Sequence, residues 1–152
     1  MLQDSIITKQ SHEKFIKKVC ESEMVWGLEN EDGFATTSSN EYEDENEEPL
    51  ELICFWSENA LANACAKEEW DGYEPVEIQL SEFIENWCIG MANDNLMIGS
   101  NFDQNMFGFE IDPLDLIIEL GKELKVQNKE IKLHNYKHLD DLVNAVEKII
   151  NE

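Results

Sequence analysis

The charges of this chain are distributed very unevenly along its sequence. The 103 residues from Val19 to Gly121 contain 26 acidic side chains and a single lysine, Lys67, and the chain contains no arginine. The other ten lysines lie in the two ends beside eight acids, so the formal net charge of −23 combines a central −25 with ends that sum to +2. Because a carboxylate without a basic partner is costly to bury, a compact fold must present this central charge on its surface.

The net charge restricts the classes of partner that the chain binds. Proteins bind nucleic acids and anionic membrane surfaces through lysine and arginine, so we expect neither partner here. Two-point recognition of phosphate or carboxylate uses the guanidinium of arginine, which the chain lacks. No stretch approaches the roughly 20 apolar residues of a membrane span, and residues 1–9 do not resemble a secretory signal.

The four cysteines are isolated from one another in the sequence. Cys20, Cys54, Cys65 and Cys88 show none of the short paired spacings that are typical of zinc sites, and each lies in an apolar stretch. We therefore predict four reduced and mostly buried thiols rather than disulfides or metal ligands. Together with the missing signal sequence, they indicate a cytoplasmic location.

The pattern of apolar residues predicts an α+β fold that forms one domain over residues 1–152. Helical periods are interspersed with hairpins rather than alternating strictly with strands, which favours an antiparallel or mixed β-sheet of about five to six strands with helices packed on it, plus a C-terminal helix. Ser11, Ser57, Ser81 and Asp112 are predicted to cap helices. The expected strands are 24–28, 34–37, 50–55, 76–80, 96–99 and 107–111, with a short extra strand at 131–133; the expected helices are 11–21, 58–68, 82–91, one from 113 and one from 139.

Residues 41–51 form the most acidic segment of the chain, with seven acids and no base. Adjacent like charges repel one another, and too few apolar residues are present to offset the cost of ordering the backbone. We predict a mobile acidic loop here.

The middle of the chain contains a series of short motifs in a recognisable order. They are Val25-Trp26-Gly27-Leu28, Asp32-Gly33-Phe34-Ala35, Phe55-Trp56-Ser57, Ala64-Cys65-Ala66, Trp70, Tyr73-Glu74-Pro75, Leu80, Phe83-Ile84-Glu85-Asn86-Trp87, Gly90-Met91, Gly99-Ser100-Asn101, Glu110 and Pro113-Leu114-Asp115-Leu116. In order and spacing these motifs resemble the bacterial family called domain of unknown function 2750, over about residues 15–120. The acidic loop is expanded relative to the family, and residues 122–152 are an added C-terminal extension. The resemblance implies a compact bacterial domain and little chemistry, because the activity of the family is not established.

Five aromatic residues within this region have two interpretations. Trp26, Trp56, Trp70, Tyr73 and Trp87 either line a pocket for an apolar or cationic ligand or form a core and its rim. Their placement at structural periods favours the core. Trp70 lies in a loop-like stretch and is the one that we expect to be exposed.

No residue stands out as catalytic. The acids are too numerous for spacing to select a pair, and no histidine lies close in sequence to a serine or cysteine of the family-like core. The pair His134 and His138 has the spacing of two metal ligands on a helix, but it lies between a predicted strand that ends at Leu133 and a helix that begins at Leu139, so a break in the helical structure is expected there. We predict no catalytic residue, no metal and no cofactor, and we favour a protein that is not an enzyme.

Two functions fit these observations. The first is a non-catalytic interaction domain that binds a basic protein, in the manner of small acidic proteins that neutralise nuclease-type toxins; its binding residues are predicted to be Glu43, Asp44, Glu45, Glu47, Glu48, Trp70 and Tyr73. The alternative is a protein that binds a small ligand or divalent metal, or a hydrolase, with the aromatic residues lining the pocket. The sequence does not indicate an oligomeric state.

Overall fold

The computed structural model describes residues 2–152, with side chains from residue 5 onward. The predicted α+β class with a C-terminal helix is confirmed. The strands are β1 (Met24–Asn30), β2 (Gly33–Phe34), β3 (Thr36–Glu43), β4 (Pro49–Phe55), β5 (Glu74–Gln79), β6 (Met97–Ser100) and β7 (Phe109–Ile111). The helices are α1 (Leu2–Ser22), α2 (Asn59–Ala64), α3 (Leu80–Glu82), a π-helical turn (Phe83–Cys88), α4 (Ile89–Asn93), α5 (Pro113–Val126) and α6 (Leu139–Ile150), with a 3₁₀ turn at Glu68–Trp70.

The described strands form two sheets. One is antiparallel with the order β2-β1-β5, and the other is mixed with the order β3-β4-β6-β7, in which β4 and β6 are parallel neighbours. Trp26 and Trp56 join the sheets because their backbones exchange two hydrogen bonds, of 2.8 and 2.7 Å. The β1–β2 turn follows the predicted Asp32-Gly33 pattern, and Gly33 supplies the positive φ of 129° that the turn requires.

Three of the four predicted helix caps are wrong. Ser11 lies inside α1, which begins at Leu2 because no glycine or proline interrupts residues 2–10. Glu58 rather than Ser57 occupies the capping position of α2, and α3 already begins at Leu80, one residue before Ser81. Asp112 does cap α5, since its Oδ1 accepts the backbone N–H of Leu114 at 2.8 Å.

The C-terminal extension packs onto the rest of the chain. Leu142 and Val146 of α6 belong to the larger of two apolar clusters, together with residues of α1, α5 and both sheets. Gly121 of α5 permits this close approach, because a Cβ atom there would lie 2.9 Å from Cγ2 of Val143. The predicted strand at 131–133 is absent; this part of the chain is an irregular connection that ends where α6 begins.

Candidate functional site

The acidic segment is a β-hairpin rather than the loop predicted over residues 41–51. Strand β3 continues to Glu43 and β4 starts at Pro49, so only residues 44–48 form the turn. Asp44 orders this turn: its Oδ1 accepts the backbone N–H groups of Asn46 and Glu48 at 2.8 and 3.1 Å. The predicted loop is wrong because these hydrogen bonds to Asp44 order the turn despite the repulsion between its charges.

A bulge in β3 brings this strand into contact with β7, at the other edge of the four-stranded sheet. The Ser39 hydroxyl accepts the backbone N–H groups of Glu41 and Tyr42 at 3.0 and 2.8 Å, where the register of β3 on β4 shifts. The same hydroxyl donates to the carboxylate of Glu110 in β7, which also accepts the Asn40 N–H at 3.0 Å. Glu110 is only 5% exposed, so a buried carboxylate connects the first and last strands of the four-stranded sheet.

The bulge exposes an aromatic side chain among the acids. Tyr42 is 37% exposed. The pKa of its hydroxyl is raised by partial burial and then by the carboxylates of Glu41, Glu110, Asp115 and Asp112. The hairpin and the N-terminus of α5 therefore form one surface, which we call the acidic face. It consists of Tyr42, Glu41, Glu43, Asp44, Glu45, Glu47, Glu48, Asp112 and Asp115.

The acidic face has no cationic partner within residues 5–152. The ion pairs described there are His12–Glu119, Lys18–Glu21, Lys125–Asp140 and Lys129–Glu23. All four lie between α1, α5, α6 and the segments that follow them. At the acidic face itself the carboxylates repel one another: Asp115 has a raised pKa, caused first by partial burial and then by Asp112 and Glu119.

The predicted binding residues do not all meet in one place. Glu43, Glu45, Glu47 and Glu48 are exposed at the hairpin end, as is Asp44, although Asp44 is engaged by the turn. Trp70 is 3% exposed, so the expectation of an exposed anchor there is wrong. Its Nε1–H donates to the Thr36 carbonyl at 3.3 Å, at the end of β3 opposite to Tyr42.

The tryptophans and Tyr73 belong to the apolar interior or its rim. Trp56 is fully buried and meets Trp70 edge to face, with ring centroids 5.9 Å apart. Trp87 packs edge to face on Phe34 at 4.6 Å, and half-buried Tyr73 lies against the cluster that contains Trp56. These contacts correspond to the core interpretation of the aromatic residues.

The structure contains a hydrogen-bonded serine–histidine–glutamate triad that the sequence did not predict, in which the serine and the histidine are buried and the glutamate is partly exposed. His12 Nδ1 lies 2.7 Å from Ser100 Oγ, and His12 Nε2 lies 2.7 Å from Glu119 Oε1. The ring stacks on Phe109 with centroids 4.2 Å apart. Although these residue types resemble a hydrolytic triad, Ser100 has no exposed surface and His12 is 4% exposed, so a substrate does not reach the hydroxyl. These three residues link α1, β6 and α5. Because His12 and Ser100 are 88 residues apart, no local sequence pattern predicts their contact.

The cysteines and the groups that commonly bind metals form no further candidate site within residues 5–152. The four cysteines are free and buried, as predicted, and burial raises the pKa of each thiol, that of Cys20 to about 12. Residues 5–152 contain no group of three or more histidine, cysteine, aspartate or glutamate side chains arranged to hold a metal ion. None of the described helices is both long enough and apolar enough to span a membrane.

Comparison with known proteins gives one match. A family model described as "Protein of unknown function (DUF2750)" matches residues 12–120, well over half of the chain. Neither the curated proteins nor the solved structures contain a significant match. The hairpin, Tyr42 and the α5 N-terminus all lie within the matched range, whereas α6 lies outside it.

Proposed function

Because the chain belongs to the DUF2750 family, whose description states no activity, we propose its function from its own surface: it is a non-catalytic protein that binds a basic protein partner through the acidic face. The observation that carries this proposal is Tyr42, an exposed aromatic side chain surrounded by carboxylates that have no cation beside them. Tyrosine is frequent among the residues that dominate binding energy at protein interfaces. It replaces Trp70 as the anchor of the interaction.

The surrounding charge favours a basic partner over other proteins. Seven acids lie in residues 41–51 without a base, and the remaining charge of the chain adds to the same negative field. Such a field accelerates encounter with a positively charged surface, and a cation placed among the carboxylates relieves their mutual repulsion.

The position of β3 also selects the kind of partner. It is an edge strand of its sheet, and because side chains of the protein itself accept its Asn40, Glu41 and Tyr42 N–H groups, a neighbouring molecule meets mainly its side chains. Glutamates at the end of an edge strand oppose pairing with a second copy of the same acidic chain. A basic chain meets no such repulsion, and the comparison with toxin-neutralising proteins rests on this analogy of charge and size.

The proposal includes the setting in which the protein works. Reduced, buried thiols suit the cytoplasm, and we place the protein there. The net charge of −23 disfavours nucleic acids and anionic membranes as partners and favours a basic protein.

A charge-neutralised hairpin tests the proposal. The chain carrying Glu43→Gln, Glu45→Gln, Glu47→Gln and Glu48→Gln keeps Asp44 and therefore its turn. We expect the basic protein that the native chain captures from a lysate of its own cells at low salt to bind the variant at least about tenfold more weakly, since exposed charge pairs each contribute about 0.2–1 kcal/mol. Tyr42→Ala is expected to weaken binding by roughly 30-fold, as for an anchor residue. The affinities are measured with the captured protein after purification.

A matched variant separates the acidic face from net charge alone. Glu69→Gln, Glu74→Gln, Glu77→Gln and Glu82→Gln remove the same four charges from exposed positions elsewhere. This control is expected to retain affinity within about twofold. Equal weakening of both quadruple variants, or recovery of no basic protein at low salt, would contradict the proposal.

A further inference from the structure

The geometry points to a second binding site, independent of the acidic face: a groove between α1 and the start of α2 that takes a small phosphate-bearing ligand. The groove has a volume of about 600 Å³, within the range of about 300–1,000 Å³ that is usual for small-molecule sites. It shares no residue with the acidic face. Its walls are Ser11, Lys14, Lys17 and Lys18 on one side and Ser57, Leu61 and Asn101 on the other, with Glu21 and Glu58 at its border.

The groove lies where the parallel strands of the mixed sheet end. β4 and β6 run side by side, from the pair Leu52 and Met97 to the pair Phe55 and Ser100. Their carboxyl ends therefore meet at one edge of the sheet, and Ser57 and Asn101 follow directly. Crevices outside the carboxyl ends of parallel strands are the preferred ligand sites of sheets that contain them.

Asn101 holds the two chain segments in a fixed relation. Its Oδ1 accepts the backbone N–H of Ser57 at 2.9 Å, and its Nδ2 donates to Ser57 Oγ at 3.2 Å and to the Ser11 carbonyl at 3.4 Å. Its backbone adopts a left-handed φ of 47°, which asparagine tolerates better than most residues other than glycine. One side chain thus connects α1, the β4–α2 loop and the end of β6.

The adjoining loop keeps Asn101 in place. The carbonyl of Phe102 accepts the indole N–H of buried Trp56 at 2.9 Å and the thiol of Cys65 at 3.2 Å. The Phe102 ring packs so closely on Gly108 that a Cβ atom there would overlap it. The loop that carries Asn101 at the groove is therefore held in place before any ligand arrives.

Ser57 provides a hydroxyl with an unused proton. The residue is 4% exposed and lines the groove. Its oxygen accepts from Asn101, whereas its own O–H donates to no side chain or carbonyl within residues 5–152. A buried hydroxyl with an available proton suits an anionic oxygen.

The basic side chains of the groove contrast with the charge of the whole chain. Three of the eleven lysines line it against the two acids Glu21 and Glu58, which makes it locally positive on a chain of net charge −23. Lys14 and Lys17 form no ion pair with the described residues, and Lys18 has only Glu21 at 3.9 Å. Lysines bind phosphate as point charges, so a phosphate site does not need the arginine that the chain lacks. Leu61, 40% exposed, offers an apolar surface to the remainder of the ligand.

Titration with simple phosphates tests the site. Inorganic phosphate, pyrophosphate, a nucleoside monophosphate and a sugar phosphate are added to the ¹⁵N-labelled chain at constant ionic strength. We expect at least one of them to bind saturably, with a Kd below about 1 mM, and to shift the amide signals of Ser57, Leu61 and Asn101. Linear, non-saturating shifts with all four compounds overturn the proposal.

Two lysine pairs distinguish a site from general attraction. Lys14→Gln with Lys18→Gln removes two exposed or half-buried charges of the groove, and the folded state of this variant is checked by its amide spectrum. It is expected to bind at least tenfold more weakly, while Lys122→Gln with Lys132→Gln, outside the groove, binds as the native chain does. Equal weakening by both pairs overturns the site. Ser57→Ala is expected to weaken binding about threefold or more with the Asn101 signals still present, and unchanged affinity in this variant contradicts the role of its hydroxyl.

Discussion

At the scale of single residues, buried polar groups are held by partners far away in the sequence. The Cys20 thiol donates to the Leu120 carbonyl at 3.6 Å, and the Glu110 carboxylate is satisfied by β3, the other edge strand of its sheet. No buried side-chain nitrogen or oxygen within residues 5–152 lacks a hydrogen-bond partner. Burial in such settings keeps a thiol protonated, and this has a measurable effect on stability.

The raised pKa of Cys20 predicts that alkali destabilises the fold. Its thiol ionises near pH 9 in the unfolded chain and near pH 12 in the folded one, because burial and the carboxylates of Glu123 and Glu23 outweigh the opposing effect of Lys129. Between these values the unfolded state releases a proton that the folded state keeps, so the free energy of unfolding falls as pH rises. Urea unfolding under reducing conditions measures how far the free energy of unfolding falls between pH 8 and pH 10. This fall is expected to be about 1 kcal/mol smaller in Cys20→Ala than in the native chain. An identical loss in both would contradict the assignment.

At the scale of elements, local signals predicted most helices and hairpins, and long-range contacts determined the rest. Asp112-Pro113 and the apolar period after Leu139 place α5 and α6 correctly, because capping and amphipathic periodicity act within a few residues. The cap expected at Ser57 fails because Asn101, 44 residues away, occupies that loop.

The candidate site was only half predictable for the same reason. The exposed acids of the hairpin follow from composition, whereas the roles of Tyr42 and Trp70 depend on which strands and turns pack against them. Tyr42 between two glutamates is the signal that was available, since an aromatic residue inside an acidic run has few reasons to be there other than contact. Trp70 looked loop-like, but its burial depends on Trp56 and Thr36.

The π-helical turn fixes the C-terminal extension through Glu85. This residue is 6% exposed, and its carboxylate accepts the backbone N–H of His134 at 2.7 Å and that of Asn135. Residues 134 and 135 lie beyond the family match, so a residue of the matched region holds the added segment in place. A π-turn widens the helix locally and often marks a position with a special task, here the orientation of one carboxylate.

Glu85→Ala is therefore expected to destabilise the chain through two unsatisfied amides. The expected loss is about 2–3 kcal/mol, since hydrogen bonds to a charged group contribute about 1.5–3 kcal/mol and the amides are left without partners. Hydrogen exchange is expected to accelerate at His134 and Asn135 before it does in α1. Glu82→Ala, an exposed glutamate in the preceding turn, serves as the control and should change stability by less than about 0.5 kcal/mol. Unchanged exchange at the two amides in Glu85→Ala would contradict this account.

At the scale of the whole molecule, the charge lies unevenly over the fold. The described ion pairs join α1, α5 and α6, where most lysines lie, and the acidic face has none. The lysine-bearing ends pack against the rest of the chain through apolar residues of α1 and α6. What remains is a chain with two electrostatically different surfaces, an acidic face and a small basic groove.

This arrangement predicts that salt has opposite effects on stability and on partner binding. Screening weakens the repulsion among the carboxylates, so raising sodium chloride from about 0.02 to 0.5 M is expected to raise the Tm by about 3 °C, a gain of roughly 1 kcal/mol. The same screening weakens the attraction of a basic partner. Chloride is used instead of phosphate so that the groove does not contribute. The hairpin variant with four Glu→Gln changes should show a higher Tm at low salt and a smaller rise with salt, because part of the repulsion is already removed. Calorimetry measures the Tm of both chains at the two salt concentrations. A Tm of the native chain that does not depend on salt would contradict the prediction, because it would mean that the acids are too far apart to repel one another.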